Sequence, residues 1–445
     1  MKRVVGGVLS VLSTGALILV LLAAGLELRL NGYEPPLVGT WIFQASAVVL
    51  AGLFLLQLYG AELPVWRKCL SVAGVVLLVC LPLLYFWNPS HSWKPAVGLL
   101  PVTYRAFLPA ASYVHGAWSS VWLALAAAGI LGGGVLLRTR HRMIMVGLII
   151  LLATGLVLWV LHDRAIPRRP PVFPWTGWFV NRNHFAAFCC LVFPVAITTG
   201  MQIQRRAFLA GKLSSPAVLF YLAAGLFAIG VWQVGSRAGL AIITLQAFGV
   251  LLAYGMFMTG FSRRVHIALG IIGCVLLGVF AGYIVYRGGG WGRIGGDLQF
   301  RGAVIQDTWR IWKSRPWWGA GPQSFAVVFP YYQSEGLRGY YFHHAHNDPI
   351  QMLAEWGVLG LGWLLVAIWF TLQGGKVATS RMRAFTSYDH MEVSGIVFAL
   401  GGVLLHSLVD FPLQHPQIML LVCVWVALLG KIFGRCNKLS ESTLH

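Results

Sequence analysis

Proton transfer near neutral pH calls for a positioned imidazole, and the stretch Phe342-His343-His344-Ala345-His346-Asn347-Asp348 supplies candidates side by side. It stands at the mouth of an apolar run, Pro349 to Phe370, long enough to cross a bilayer. Charge at such a depth costs about 2.5 to 3.5 kcal/mol per group on insertion scales, so function is the first expectation for it. His346 could take a proton from a hydroxyl as a general base; the structural alternative is a His that caps or hydrogen-bonds the following helix. Asn347 and Asp348 suit helix N-cap and orienting positions, and Pro349 suits the first helical turn. His343 and His344 are expected at an interface or against an acceptor. His344-x-His346-x-Asp348 also imitates the start of a binuclear zinc signature, but Pro349 follows at once and no second His cluster occurs in the segment, so a metal is not expected.

The second chemistry is anion binding. Gly235-Ser236-Arg237-Ala238-Gly239 joins two apolar runs, and a turn that short has no structural need of Arg. Arg237 either snorkels to the headgroup level or grips a phosphate with both prongs of its guanidinium. Arg301 opens an amphipathic stretch, Leu298 to Lys313, expected to be a helix that Pro316 stops. Arg310 lies nine residues further on, the opposite face of an ideal helix, so the two are not expected to touch one ligand. A solvated helix face is the alternative for Arg310.

These groups need elements to hold them, and the composition says which. Of 445 residues, 58% are hydrophobic and only 10% charged, against about a quarter charged in soluble domains. The chain reads as an all-α polytopic membrane protein with about twelve transmembrane helices and one large periplasmic loop containing short amphipathic helices. The expected spans are near 4–26, 37–60, 69–87, 116–137, 143–161, 184–203, 217–234, 238–258, 266–286, 348–373, 391–410 and 415–433. This divides the chain into 1–286 with nine helices, 287–347 as the loop with the catalytic elements, and 348–445 with the remaining helices and a short cytoplasmic tail. A net charge of +20 would point to nucleic acid in a soluble protein. Here Lys and Arg cluster between apolar runs, mostly in alternate loops, so topology explains much of the charge; the expected surroundings are membrane lipids, not nucleic acid. The opening apolar run, Val4 to Leu26, is too long for a signal peptide and lacks a small-residue cleavage site. No disulfide framework is expected on the outer side.

His346-Asn347, nine residues, and then Gly357-Val358-Leu359-Gly360 reproduce the spacing of the motif that marks O-antigen ligases. Arg301, Trp309 and the run Arg315-Pro316-Trp317-Trp318-Gly319-Ala320-Gly321 resemble the central loop of the same superfamily. Asn181-Arg182-Asn183-His184-Phe185-Ala186 is similar to its Asn-x-Asn-x-x-Ala lead-in to a span, with Asn183 the expected N-cap. The chain therefore resembles the O-antigen ligase and polymerase superfamily from roughly Trp178 to His415. That resemblance implies a membrane glycosyltransferase in which His346 is the catalytic base and Arg237 and Arg301 face the diphosphate of the donor. His344, Arg310, Asn347 and Asp348 are the further substrate-binding candidates. The implied donor is a glycan on undecaprenyl diphosphate; the acceptor is a glycan, lipid A-core or a protein. The implied location is the bacterial inner membrane, with the site facing the periplasm. Ligase is preferred on the His-Asn-to-Gly-x-x-Gly spacing, ahead of an exopolysaccharide polymerase or a protein O-glycosyltransferase.

No Asp-x-Asp or Glu-x-Asp dyad, phosphate-binding P-loop or dinucleotide fingerprint occurs, so no cofactor is expected. His406 and Asp410, four apart, are expected to share a face of the eleventh span and to line the site or make a structural hydrogen bond. A proton relay would need further intramembrane acids, and none is counted with them. The rival class, a transporter of lipid-linked sugars, calls for repeat symmetry and charges deep within spans.

Overall fold

A computed structural model describes residues 2–30, 37–94, 98–165, 179, 181–212, 214–255, 282, 290–379 and 387–442. Apolar runs that enter a bilayer must satisfy every backbone N–H and C=O internally, and the chain does so with helices. In order these are α1 (Lys2–Leu30), α2 (Leu37–Gly60), α3 (Val65–Trp87), a hairpin of β1 (His91–Lys94) and β2 (Gly98–Pro101), α4 (Val114–Leu136), α5 (Thr139–Ala165), α6 (Arg182–Leu209), α7 (Ala217–Val234) and α8 (Arg237–Tyr254). There follow α9 (Gly290–Ser314), α10 (Phe325–Val328), α11 (Asp348–Trp356), α12 (Gly360–Thr379), α13 (Ser387–Ser407) and α14 (Pro416–Ser442). Among the described residues ten helices are long and apolar enough to cross a membrane, or eleven if the bent run Asp348–Gly374 counts as one span. The expected span 266–286 lies almost wholly outside the described residues.

Three expectations change. The run 348–373 is not one regular helix: α11 ends at Trp356, a 3-10 turn covers Gly357–Leu359, and α12 starts at Gly360. The segment 88–115 holds an antiparallel hairpin, with His91 opposite Pro101 and Lys94 opposite Gly98. The helix expected over 298–313 begins at Gly290, because the glycines there lower helix propensity without forbidding the conformation.

The chain divides into two compact units, each discontinuous in sequence. The first comprises 1–141, 295–366 and 407–424. In it α1, α2, α3 and α4 pack side by side, and small residues let α2 and α4 approach closely: a Cβ on Gly129 would fall 2.9 Å from Leu50, and one on Gly132 2.4 Å from Phe54. A second core in the same unit gathers Val304 and Ile311 of α9, Phe325 and Phe329, Phe342, and Ile350 and Ala354 of α11. The amphipathic face of α9 is thereby covered, and α11 is fixed against it.

The second unit comprises 142–294, 367–406 and 425–445. Here α6 is central, buried from His184 to Pro194 along its whole circumference, with α7 and α8 against it. Arg142 of α5 pairs with Glu392 of α13 at 3.1 Å.

Two glycine motifs of the first unit form one joint. The last carbonyls of a helix have no partner within it, and the loop Pro316–Gly321 supplies donors to those of α11: Ala320 N–H to Ala354 O and Gly321 N–H to Glu355 O, both 2.8 Å. In return Val358 N–H donates to Pro316 O at 3.0 Å. Backbone meets backbone at the crossing. A Cβ on Gly319 would stand 2.4 Å from the Glu355 carbonyl carbon, and one on Gly357 2.2 Å from the Trp317 oxygen. Gly357 also has φ 63 and ψ −153, a region essentially reserved for glycine.

Candidate functional site

Helix α11 starts as its sequence demands. Asn347 is the N-cap, its side-chain oxygen accepting from Ile350 N–H at 3.0 Å, and Pro349 occupies the first turn. The amide of Asn347 also donates to Leu408 O at 2.8 Å, tying the helix start to the turn after α13. Asp348 is fully buried and accepts from Leu413 N–H at 2.9 Å and from the Gln414 amide at 3.2 Å. With no exposure of its own, Asp348 anchors the 411–414 segment. Asp348→Ala should lower stability by about 1–3 kcal/mol through the stranded donors, read as a lower unfolding temperature in detergent; an unchanged temperature would remove the anchoring role.

His346 has φ 54, and Gln323 has φ 53; these are the two non-glycine residues with positive φ among those described. Such a backbone costs about 1–3 kcal/mol and persists only where its surroundings enforce it. One buried network holds both. Ala345 N–H donates to Gln351 Oε1 at 3.0 Å; Gln351 Nε2 donates to Glu355 Oε1 at 3.2 Å. Glu355 in turn accepts from Phe325 N–H at 3.1 Å and Gln323 N–H at 3.0 Å. The same network settles a tautomer. Ala345 N–H can only donate, so the Gln351 oxygen faces it and the Gln351 nitrogen faces His344 Nδ1 at 3.1 Å. Nδ1 of His344 is therefore an acceptor, which places the proton of the neutral ring on Nε2.

Gln351 and Glu355 are the residues that motif reading misses. An acid seven residues into an expected span was itself the signal. Glu355→Gln turns one acceptor oxygen into a donor and should destabilise by about 1–3 kcal/mol, with loss of the His346 backbone geometry as its chemical-shift signature; an unperturbed His346 would contradict that link.

The imidazole of His346 points Nδ1 at Asp410 Oδ1, 3.4 Å away. Asp410 is buried and His346 partly exposed, so the carboxylate sits behind the ring. Phe411 separates the two histidines: His344 stacks on it at 4.2 Å, and His346 meets it edge-on at 5.0 Å. The expectation that His406 and Asp410 share a helix face is corrected. Helix α13 ends at Ser407, and Asp410 lies in the turn beyond it, where Pro412 disfavours helical backbone at Phe411.

Arg301, on α9, donates from Nη1 to the Val409 carbonyl. One short segment, Leu408 to Phe411, thus takes a guanidinium from α9, the cap amide of Asn347 and the His346 ring. Arg310 is engaged elsewhere, 2.7 Å from Asp307, which also accepts from Ser334 N–H at 2.7 Å. His343 is exposed, edge-on to Tyr341.

Arg237 belongs to the second unit, where it is the first residue of α8. Gly235 ends α7 with φ 68, and Ser236 caps α8, accepting from Gly239 N–H at 3.2 Å. Ser236 donates to Asn183 Oδ1 at 2.9 Å, and Gly239 packs so tightly on α6 that a Cβ would lie 2.5 Å from Ala186. The Asn-x-Asn-x-x-Ala run and the Gly-Ser-Arg-Ala-Gly turn are two halves of one contact, which holds the start of α8 in place. The N-cap of α6 is Asn181, accepting from Asn183 N–H at 2.8 Å, not Asn183 as expected; Asn183 serves Ser236 instead.

Among the described residues no group of three or more His, Cys, Asp or Glu is arranged to hold a metal ion. Residues 217–365 match the family model of the O-antigen ligase. The matched stretch runs from α7 into α12 and includes Arg237, Arg301 and His346. A comparison with curated proteins finds no match.

Proposed function

We propose that this multi-pass membrane protein, with its O-antigen ligase domain, moves a glycan from an undecaprenyl diphosphate carrier to an acceptor hydroxyl on the periplasmic face of the inner membrane. The observation that carries the reading is the meeting of His346, Asp410 and Arg301 around the Leu408–Phe411 segment. His346 holds Nδ1–H toward the buried carboxylate of Asp410, which leaves Nε2 to take the acceptor proton. A distance of 3.4 Å is long for such a bond, and catalytic contacts commonly tighten when substrate arrives. The acceptor oxygen then bonds to the anomeric carbon as the bond from that carbon to the diphosphate oxygen breaks. The departing diphosphate takes the electron pair, and the configuration inverts. Arg301 stabilises the charge that develops on it. A diphosphate is already a good leaving group, so a base and cations suffice and no metal takes part.

The test is a purified assay with an undecaprenyl diphosphate-linked oligosaccharide and a glycan acceptor, reading product and released carrier. Transfer that survives chelator supports the reading; carrier release without any glycan product sinks it. Arg301→Ala and Arg237→Ala should each weaken donor binding about tenfold to hundredfold, the worth of a charge-assisted hydrogen bond. Unchanged KM and kcat in Arg237→Ala would return that residue to membrane anchoring.

A further inference from the structure

The side chain of Arg315 takes no part in the joint between its loop and α11. Its Nη1 donates to two buried hydroxyls, Ser90 at 3.1 Å and Ser112 at 3.3 Å, and its guanidinium lies 5.7 Å from the ring centre of Tyr104. A guanidinium has five donors. These bonds use Nη1 alone; among the described residues Nε and Nη2 have no hydrogen-bond partner, and no carboxylate pairs with the charge. That remaining edge is the one that receives a carboxylate or phosphate with two parallel bonds. His91 completes the group. The Ser90 hydroxyl, which accepts from Arg315, is hydrogen-bonded to His91 Nδ1 at 3.0 Å, and burial, together with the Arg315 charge, holds the His91 ring below its usual range. Tyr104 and, two residues beyond Arg315, Trp317 are 40% and 72% exposed, and such aromatic residues can cover the apolar face of a sugar. The loop closes the far end of α11 from His346, a helix about 13 Å long, which is the reach of a short oligosaccharide.

We propose that Arg315, with Ser90, Ser112, His91 and Tyr104, forms a subsite for an acidic sugar of the acceptor glycan, gripping its carboxylate or phosphate. The assignment to a glycan rests on the transferase reading above. The same chemistry would suit a lipid headgroup, and the experiment separates the two sources.

Full-length protein in neutral detergent is titrated with a glucuronate-terminated tetrasaccharide, with the glucose-terminated neutral counterpart, and with short-chain phosphatidylglycerol. The acidic saccharide should bind at least about tenfold more tightly than the neutral one, as expected for a charge-assisted pair. Arg315→Gln should erase the difference and Arg315→Lys restore part of it, because an ammonium lacks the fork. Equal binding of the two saccharides, or a preference that survives Arg315→Gln, overturns the subsite. So does Arg315-dependent binding of phosphatidylglycerol with none of the saccharide. If Arg315→Gln does not fold, Ser112→Ala and His91→Phe give the second reading: each should reduce the preference severalfold, and no change in either overturns the proposal. Acid preference without transfer from any donor would sink the transferase reading and keep the anion site; transfer without acid preference would do the reverse.

Discussion

Replacing His346 by Gly should slow glycan transfer by about 10² to 10⁴-fold, the usual worth of a positioned general base, with donor affinity changed little. Glycine is the informative substitution because His346 has φ 54. It relieves a strained backbone, whereas Ala would keep a Cβ in the left-handed region. The neighbours also stay in place. Ala345 remains bound to Gln351 and Asn347 remains the N-cap of α11, so the helix start survives loss of the ring. A fall in kcat with donor KM preserved assigns the imidazole to the transition state. A weakened donor with kcat intact would make His346 a binding residue instead.

Gly357→Ala should abolish accumulation of folded protein, or lower its stability by about 3 kcal/mol or more. The added carbon would lie 2.2 Å from the Trp317 oxygen, and the atom in the way is backbone, locked by the hydrogen bonds of Ala320, Gly321 and Val358. Gly319→Ala meets the same joint from the other side, 2.4 Å from the Glu355 carbonyl carbon, and should fail in the same manner. Gly336→Ala is the control, since nothing lies within 4 Å of its Cβ position. Size-exclusion profiles and unfolding temperatures of the three variants decide the matter; a folded Gly357→Ala with wild-type stability would contradict the joint.

The helical architecture was legible because hydropathy and length dictate it once a chain enters lipid. The break after Trp356 was less so. Gly357 and Gly360 read as a motif, while the reason for Gly357 sits in the backbone of Trp317 and Trp318, far earlier in the sequence, and that for Gly360 in the Met352 carbonyl. Long-range backbone packing leaves no periodicity to find. At the site, His346, Asn347 and Arg301 stood out by type and position, but the partners that give them their geometry did not. Asp410 was read as sharing a helix face with His406, whereas the chain leaves the helix at Ser407 and turns the carboxylate to His346. Glu355, inside the apolar run 348–373, corrects the expectation that no further intramembrane acid accompanies His406 and Asp410, and Gln351 beside it belongs to no motif.

The most direct test of a His346–Asp410 unit is the single-turnover transfer rate of Asp410→Asn measured in two backgrounds, native and His346→Gly. Because Asp410 acts through the imidazole it faces, the substitution should slow the native protein about tenfold or more and slow His346→Gly hardly at all, a non-additivity expected of groups that work as a unit. Equal slowing in both backgrounds, or a His346→Gly protein that transfers at the native rate, would contradict the mechanism.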